Sequence, residues 1–443
     1  MSALRAENVY KVFGRRSQEA VRRLRSGATR DEVKPLGTAA VIDASFEVQP
    51  GETFVVMGLS GSGKSTLIRM LNGLLTPTAG RVLIDGESVT DVSPAELREI
   101  RRTKVSMVFQ HFALLPHRTV LDNVAYPQEI RGMGKEERLA KAKESIAMTG
   151  LAGWEDSLPA QLSGGMRQRV GLARALAADT DILLMDEAFS ALDPLIRRDM
   201  QEQLVELQAK LGKTIVFITH DLNEAMFLGD RIAVMRDGRV IQIDTAEQIL
   251  ANPADEYVAK FIADVDRSRV ITAGAVMRRP VSVVQLGGGP GVALREIQTT
   301  QGTAAYVVDR RRVLHGTVYD TDLLTAQRRG DRTLEQVVRP DTSAVSPETP
   351  LSEMFAPAAE AALPLAVTDD DGRLVGVVPR VKLLEAMVPP DSEAVTDADP
   401  AAAQSPDTAG RPAGPVPTHG AGGNEATASV PVPDQTQAEG ETR

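Results

Sequence analysis

An α/β fold, a parallel sheet wrapped by helices with a smaller α+β module behind it, is what this sequence predicts, and three observations predict it. Three short apolar runs, TFVVMG at 53–58, ILLM at 182–185 and TIVFIT at 214–219, have the length of buried central strands. Each runs directly into residues suited to chemistry: a glycine-rich loop, a pair of carboxylates, a histidine. From Arg267 onward, a pattern of strand, helix, strand pair around a polar turn, and helix occurs twice. At 443 residues the chain is too long for one core, and 42% hydrophobic with 25% charged residues is a globular balance.

The first apolar run opens a phosphate site. Gly58, Leu59, Ser60, Gly61, Ser62, Gly63, Lys64, Ser65 and Thr66 follow the strand, and KSTLIRMLNGL has the apolar spacing of a helix. Consecutive backbone N–H groups and the positive end of that helix would face an anion. The glycines let the chain wrap closely, Lys64 can neutralise phosphate oxygens, and the Ser65 hydroxyl is placed for Mg²⁺. The second run ends in Asp186 and Glu187. Two acids at the end of a buried strand are costly unless a cation or a proton transfer uses them. In phosphoryl transfer, Asp186 would belong to the Mg²⁺ shell and Glu187 would polarise the attacking water.

A second anion site lies at LSGGMRQRVGLARALA. Ser163 is a good N-cap, and the helix behind it is expected to turn Val170, Leu172, Ala173 and Leu176 inward and to expose Arg167, Arg169 and Arg174. One chain then carries two half-sites far apart in sequence, and a head-to-tail homodimer would complete both.

These motifs resemble those of the ATP-binding subunits of ABC transporters, over about residues 1–264. The resemblance implies a P-loop NTPase cassette with a RecA-like core, an antiparallel β subdomain and an α-helical subdomain at about 112–162. It implies ATP and Mg²⁺ as ligands and Glu187, His220, Gln110 and Lys64 as catalytic residues, with Ser65, Gln110 and Asp186 at the metal. Ser163, Gly164 and Gly165 would bind the γ-phosphate held by the other chain, Asp193 would lie in the D-loop, and His220 would touch the γ-phosphate. Phe13 is the expected adenine-stacking aromatic, with Tyr10 the alternative. The apolar stretch with Phe112, Leu114 and Leu115 follows Gln110 and is a candidate docking surface for a membrane-subunit helix, unless these residues are core.

Residues 268–388 resemble a tandem CBS pair, with units at about 268–330 and 335–388. Many CBS domains bind adenine nucleotides through Ser/Thr-x-x-Asp after the last strand. Here the corresponding turns are Tyr319 to Asp322 and Pro379 to Lys382, which loses half the pattern in one unit and all of it in the other. Between Arg267 and Arg339 there are twelve arginines against six acids, either a solvated face or a contact for anionic lipid; the triplet Arg310 to Arg312 is expected in a turn. The basic segment at about 15–38 reads as an insertion of two short helices with a glycine break. Insertion, motifs and CBS pair together are similar to the glycine betaine/proline (quaternary amine) importer subfamily.

That resemblance implies a peripheral ATPase at the cytoplasmic face of the cell membrane, with permease subunits and a solute-binding protein as partners, regulated by its CBS module. An importer for another cationic solute or amino acid is the alternative. A soluble ABC ATPase acting on ribosome or DNA fits poorly with one cassette and no heptad run. The absence of cysteine excludes a disulfide framework, and the net charge of −10 argues against nucleic acid as a partner. The stretch 389–443 holds nine acids against two arginines among Pro, Ala, Gly and Thr, the composition of a disordered tail.

Overall fold

Every side chain is buried in Thr53–Met57 (β3), Ile182–Asp186 (β7) and Thr214–Thr219 (β8). A strand covered on both faces reads as an unbroken apolar run, which is why these three were legible as the sheet centre. The structure, a computed structural model, describes residues 2–388 apart from residues 264 and 362. The expected tail at 389–443 lies outside the described residues.

The central sheet has the order β10-β9-β3-β8-β7-β6, with Val105–Val108 (β6), Arg231–Arg236 (β9) and Arg239–Asp244 (β10) completing it. All neighbours are parallel except the β9–β10 hairpin. Alternation along β3 feeds two cores. Val55 and Met57 join the layer beneath Pro194–Leu211 (α7) and Leu222–Leu228 (α8), while Phe54 and Val56 join the layer beneath Lys64–Leu71 (α2).

That second layer is shared with an antiparallel sheet of order β2-β1-β4-β5, formed by Leu4–Phe13 (β1), Thr38–Val48 (β2), Ala79–Ile84 (β4) and Glu87–Ser88 (β5). The insertion leaves at the β1–β2 corner. It contains one helix, Ser17–Arg25 (α1), not the two expected. Thr29 and Glu32 do make the reciprocal bonds of a helix start, at 2.7 and 3.3 Å, but Pro35 and Gly37 stop the chain after turns. Tyr10, Val21, Leu24, Val33, Leu36 and Ile42 close this corner with a small core of its own.

Pro94–Thr103 (α3) starts at Ser93 with a capping box to Glu96. Val120–Ile130 (α4) and Lys135–Met148 (α5) form the helical subdomain with Gly164–Ala177 (α6). Val120, Val124, Ile146, Val170 and Ala173 make one core, so the subdomain runs past the expected end at 162 to Ala177. The cassette's main core likewise reaches Val265, beyond the expected boundary, after Ala246–Ala251 (α9) and Glu256–Phe261 (α10).

Arg267–Val270 (α11) and Ala273–Val276 (α12) lead into two similar units. The first is Val283–Gln285 (β11), Pro290–Thr299 (α13), Ala304–Val308 (β12), Leu314–Tyr319 (β13) and Asp320–Arg329 (α14). The second is Ala344–Val345 (β14), Leu351–Glu360 (α15), Leu365–Thr368 (β15), Leu374–Val378 (β16) and Arg380–Met387 (α16).

Their boundaries differ from the linear expectation of 268–330 and 335–388. Ala273, with Ile271 and Met277, packs in the core of the second unit, and Leu334, with Val337 and Val338, packs in the core of the first. Each unit is completed by the segment that precedes the other: Arg278 pairs with Val377 and Arg339 with Thr317. The apolar residues of these segments are too few to bury themselves, so they take the nearest open sheet edge. The two sheets meet through Tyr306, Val308, Ala366, Leu374 and Val377, with the Tyr306 hydroxyl donating to Pro364 O at 2.5 Å. Arg310 and Arg311 are exposed in the turn between β12 and β13, as expected.

Candidate active site

The phosphate loop is gripped from two sides. A Cβ at Gly58 would lie 2.2 Å from Met235 O of β9, and one at Gly63 would lie 2.2 Å from Ala40 O of β2; both glycines also hold positive φ, at +151° and +107°. No side chain fits either place. Gly238, in the β9–β10 turn, donates its N–H to Ser62 O at 3.0 Å, and its own carbonyl accepts from Ile42 N at 2.7 Å. Leu59, Ser60 and Gly61 form the exposed crest of the loop, Gly63 caps α2, and Ser65 and Thr66 lie half-buried in its first turn. The Ser62 hydroxyl is buried without a partner.

Lys64 is buried and donates to Gly58 O at 2.8 Å and Leu59 O at 3.2 Å. Burial lowers its pKa, an effect opposed by the charges of Glu187 and Asp186. Asp186 accepts from Ser65 Oγ at 3.1 Å, and burial raises its pKa against the help of that bond. Two hard oxygens thus stand side by side at the helix start, the donor type Mg²⁺ takes, and few enough to leave its other positions to phosphate and water. Among the described residues no cluster of three His, Cys, Asp or Glu could hold a metal by itself.

Glu187 gathers the rest. Its φ of +46° turns the end of β7 back over the sheet, with its N–H bonded to Ile218 O at 2.9 Å. Glu187 Oε2 lies 3.1 Å from His220 Nδ1 and 3.4 Å from Gln110 Nε2, and Oε1 lies 3.9 Å from Lys64 Nζ. Three residues from three other sequence motifs therefore meet at this one carboxylate. A left-handed backbone in a non-glycine residue persists only where its surroundings enforce it.

The second half-site is elsewhere. Ser163 caps α6 by accepting from Met166 N at 3.3 Å, and Asp193 caps α7 by accepting from Ile196 N at 3.1 Å. A Cβ on Gly165 would meet Ile196 at 2.6 Å, so these two motifs abut one another. Among the described residues, none of Ser163, Gly164 and Gly165 bonds to the phosphate loop. Phe13, the last residue of β1, is 45% exposed, with the Lys11 ammonium 5.2 Å from its ring, whereas Tyr10 is 4% exposed in the corner core. Tyr10 thus offers no open face for stacking.

Most of the chain matches known proteins. An ABC transporter family model covers residues 41–190 and a CBS domain model residues 334–389. The glycine betaine transport ATP-binding protein OpuAA of Bacillus subtilis is 50% identical over 87% of this chain and 92% of its own length. The glycine betaine/carnitine transport ATP-binding protein GbuA of Listeria monocytogenes is 49% identical over 87% of this chain and 98% of its own. The glycine betaine/proline betaine transport system ATP-binding protein ProV of Escherichia coli is 48% identical over 87% and 97%. The chain belongs to the ATP-binding subunits of ABC transporters of the glycine betaine/proline importer type.

In this ABC ATPase several supporting residues escaped the sequence reading. The arginines of α6 are not the exposed set expected: Arg167 donates to Leu162 O at 2.6 Å, Arg169 to Thr149 O at 3.0 Å and Gln203 at 2.6 Å, and Arg174 to Ala113 O at 2.7 Å. Val170, Leu172, Ala173 and Leu176 do point inward. Phe112, Leu114 and Leu115 are half-buried, and Leu114 packs on the helical core. The open surface lies beside them, a groove of about 700 Å³ with Met107, Phe109, Tyr126, Pro127 and Ile130 among arginines of α3 and α6 and Arg131, which follows α4. In the two C-terminal units Asp322 is already held by Arg339 at 2.7 Å, and Arg380 is spent on carbonyls at the end of α15.

The insertion reaches the phosphate loop through one residue. Arg30 donates to Ala39 O at 3.0 Å and to Asp237 Oδ1 at 3.0 Å, and Asp237 precedes the Gly238 that holds Ser62. Arg30→Ala should weaken ATP binding about two- to fivefold, the worth of an exposed ion pair, and leave kcat unchanged. The exchange Arg30→Asp with Asp237→Arg should restore most of the loss. Titration with ATP at saturating Mg²⁺ measures both, and unaltered affinity in Arg30→Ala would remove the insertion from the site.

Proposed function

We propose that this chain hydrolyses ATP at Glu187, in a head-to-tail pair, to drive import of glycine betaine and related quaternary amines through permease subunits at the cytoplasmic face of the membrane. The observation that carries the reaction is the convergence of His220, Gln110 and Lys64 on the Glu187 carboxylate. The loop N–H groups and Lys64 bind the β- and γ-phosphates. Phe13 stacks on adenine. Glu187 takes a proton from water as the water oxygen bonds to the γ-phosphorus and the bond to the β-phosphate oxygen opens, giving ADP and phosphate. His220 and Gln110 orient Glu187 and the γ-phosphate. Mg²⁺ held by Ser65, Asp186 and Gln110 would neutralise charge on the phosphate oxygens.

Two half-sites that do not meet within one chain support the pair: Ser163, Gly164 and Gly165 of one copy close over the loop of the other, with Asp193 between. Among the described residues no helix is long and apolar enough to cross a membrane, so attachment falls to membrane subunits. The groove between α3, α4 and α6 receives them. The substrate class rests on the relatives' names, since the solute meets other subunits. The twelve arginines between 267 and 339 suit a CBS module that responds to anionic lipid. The test is reconstitution with the membrane and solute-binding subunits in anionic liposomes. ATP-dependent uptake of labelled glycine betaine is expected, and hydrolysis coupled to another solute instead would move the substrate assignment.

A further inference from the structure

Arg174 has a setting that the reaction does not explain. Its guanidinium donates through Nη1 to Ala113 O at 2.7 Å and through Nη2 to Phe112 O at 2.9 Å. Those two residues are consecutive, and both hold left-handed φ, at +58° for Phe112 and +47° for Ala113. Neither is glycine, so something outside the segment must keep this kink. Arg174 is half-buried at the edge of the groove, and its partial desolvation lowers its pKa. What that desolvation costs is offset by the two carbonyls that the planar guanidinium meets together.

The contacts around it define its task. Arg174 and Gly171 lie on one face of α6, and a Cβ at Gly171 would touch Phe112 O at 3.9 Å. The Arg167 guanidinium lies 5.5 Å from the Phe112 ring and donates to Leu162 O, next to Ser163. The far end of the segment is held by buried Asn123, which accepts from Leu115 N at 2.8 Å and donates to Leu115, Arg118 and Thr119 carbonyls. The near end is Gln110, two residues before the kink, with its amide at 3.4 Å from Glu187. Arg174 also lines the groove between α3, α4 and α6, together with Ala113.

We propose that Arg174 is a positioning residue that acts through Gln110: by holding the Phe112–Ala113 kink it joins the helix behind Ser163 to the amide that orients Glu187. The inference rests on the ATPase reading above. An ammonium has no planar fork with which to serve two carbonyls at once, so Arg174→Lys keeps charge and bulk while losing the paired grip.

The test is a double-mutant cycle in the full chain, with ATP affinity, kcat and melting temperature measured for Arg174→Lys, Gln110→Ala and both together. Arg174→Lys should lower kcat on the order of tenfold, as displaced catalytic groups do, with ATP affinity within about twofold of wild type. Added to Gln110→Ala it should cost nothing more, because residues acting as a unit are non-additive. Multiplied losses in the double variant, or a loss of ATP affinity equal to that of kcat, would overturn the proposal. Should Arg174→Lys fail to fold, Arg167→Met, which removes only the contact with Phe112 and Leu162, should give a smaller kcat loss that Gln110→Ala again absorbs; full additivity there is the same refutation. If wild type and Glu187→Gln hydrolyse ATP equally, it is the ATPase reading that fails.

Discussion

Glu187→Gln is expected to bind ATP, hold two chains together and hydrolyse about 10²–10⁴ times more slowly than wild type, the usual worth of a positioned general base. The substitution keeps shape. Its amide oxygen can still accept from Gln110 Nε2, which lies 3.4 Å from Oε2, and the left-handed turn at +46° is unchanged. What is lost is the negative charge that receives the proton from water. Binding should not suffer, since that charge also stands beside Asp186 and helps raise its pKa, and it would repel the γ-phosphate. Lys64, 3.9 Å from Oε1, gains freedom to face the nucleotide instead. Phosphate release read alongside gel filtration in ATP separates the two effects. Turnover within tenfold of wild type would move the base elsewhere, and His220 would be the next residue to replace.

This site was legible because each of its separate motifs is contiguous in sequence. A buried strand followed by GLSGSGKST, or by Asp186 and Glu187, shows its chemistry within a dozen residues, and the alternation of β3 between two cores is the ordinary behaviour of a central strand. What stayed hidden depends on partners far along the chain. Arg30 and Asp237 are 207 residues apart, and no local pattern marks an arginine that will hold a hairpin. The α6 arginines read as exposed because helical spacing places them off the apolar stripe. The carbonyls that receive Arg169 and Arg174 belong to residues 149 and 112–113, which no periodicity brings near. The exchange of Ala273 and Leu334 between the two C-terminal units was invisible for a similar reason: each is a short apolar segment beside its own unit in sequence, and only open sheet edges decide where it packs. The resemblance alone ranks Phe13 ahead of Tyr10, and a three-residue step along β1 puts Tyr10 in a core and Phe13 at the rim.

Gly63→Ala and Lys64→Ala should both abolish ATP binding, by different routes that a melting curve tells apart. At Gly63 the added methyl would sit 2.2 Å from Ala40 O with φ at +107°, and the obstacle is backbone rather than a movable side chain. Either β2 or the loop must shift, and β2 is fixed by Ile42 N bonding to Gly238 O at 2.7 Å. Overpacking against backbone together with an unfavourable φ should cost about 2–4 kcal/mol, a melting temperature lower by roughly 5–15 °C in a domain of this size. Lys64→Ala meets no such obstacle. It removes a buried ammonium whose desolvation works against the fold and leaves the carbonyls of Gly58 and Leu59 unpaired, at a loop whose crest is open to water. Those two effects oppose each other, so its melting temperature should stay within about 4 °C of wild type while ATP affinity falls at least about 100-fold for want of the charge that faces the phosphates. Equal destabilisation in the two variants would mean that Lys64 serves chiefly to brace the loop. Retained ATP binding in Gly63→Ala would mean that the grip of β2 on the loop is looser than the 2.2 Å approach implies.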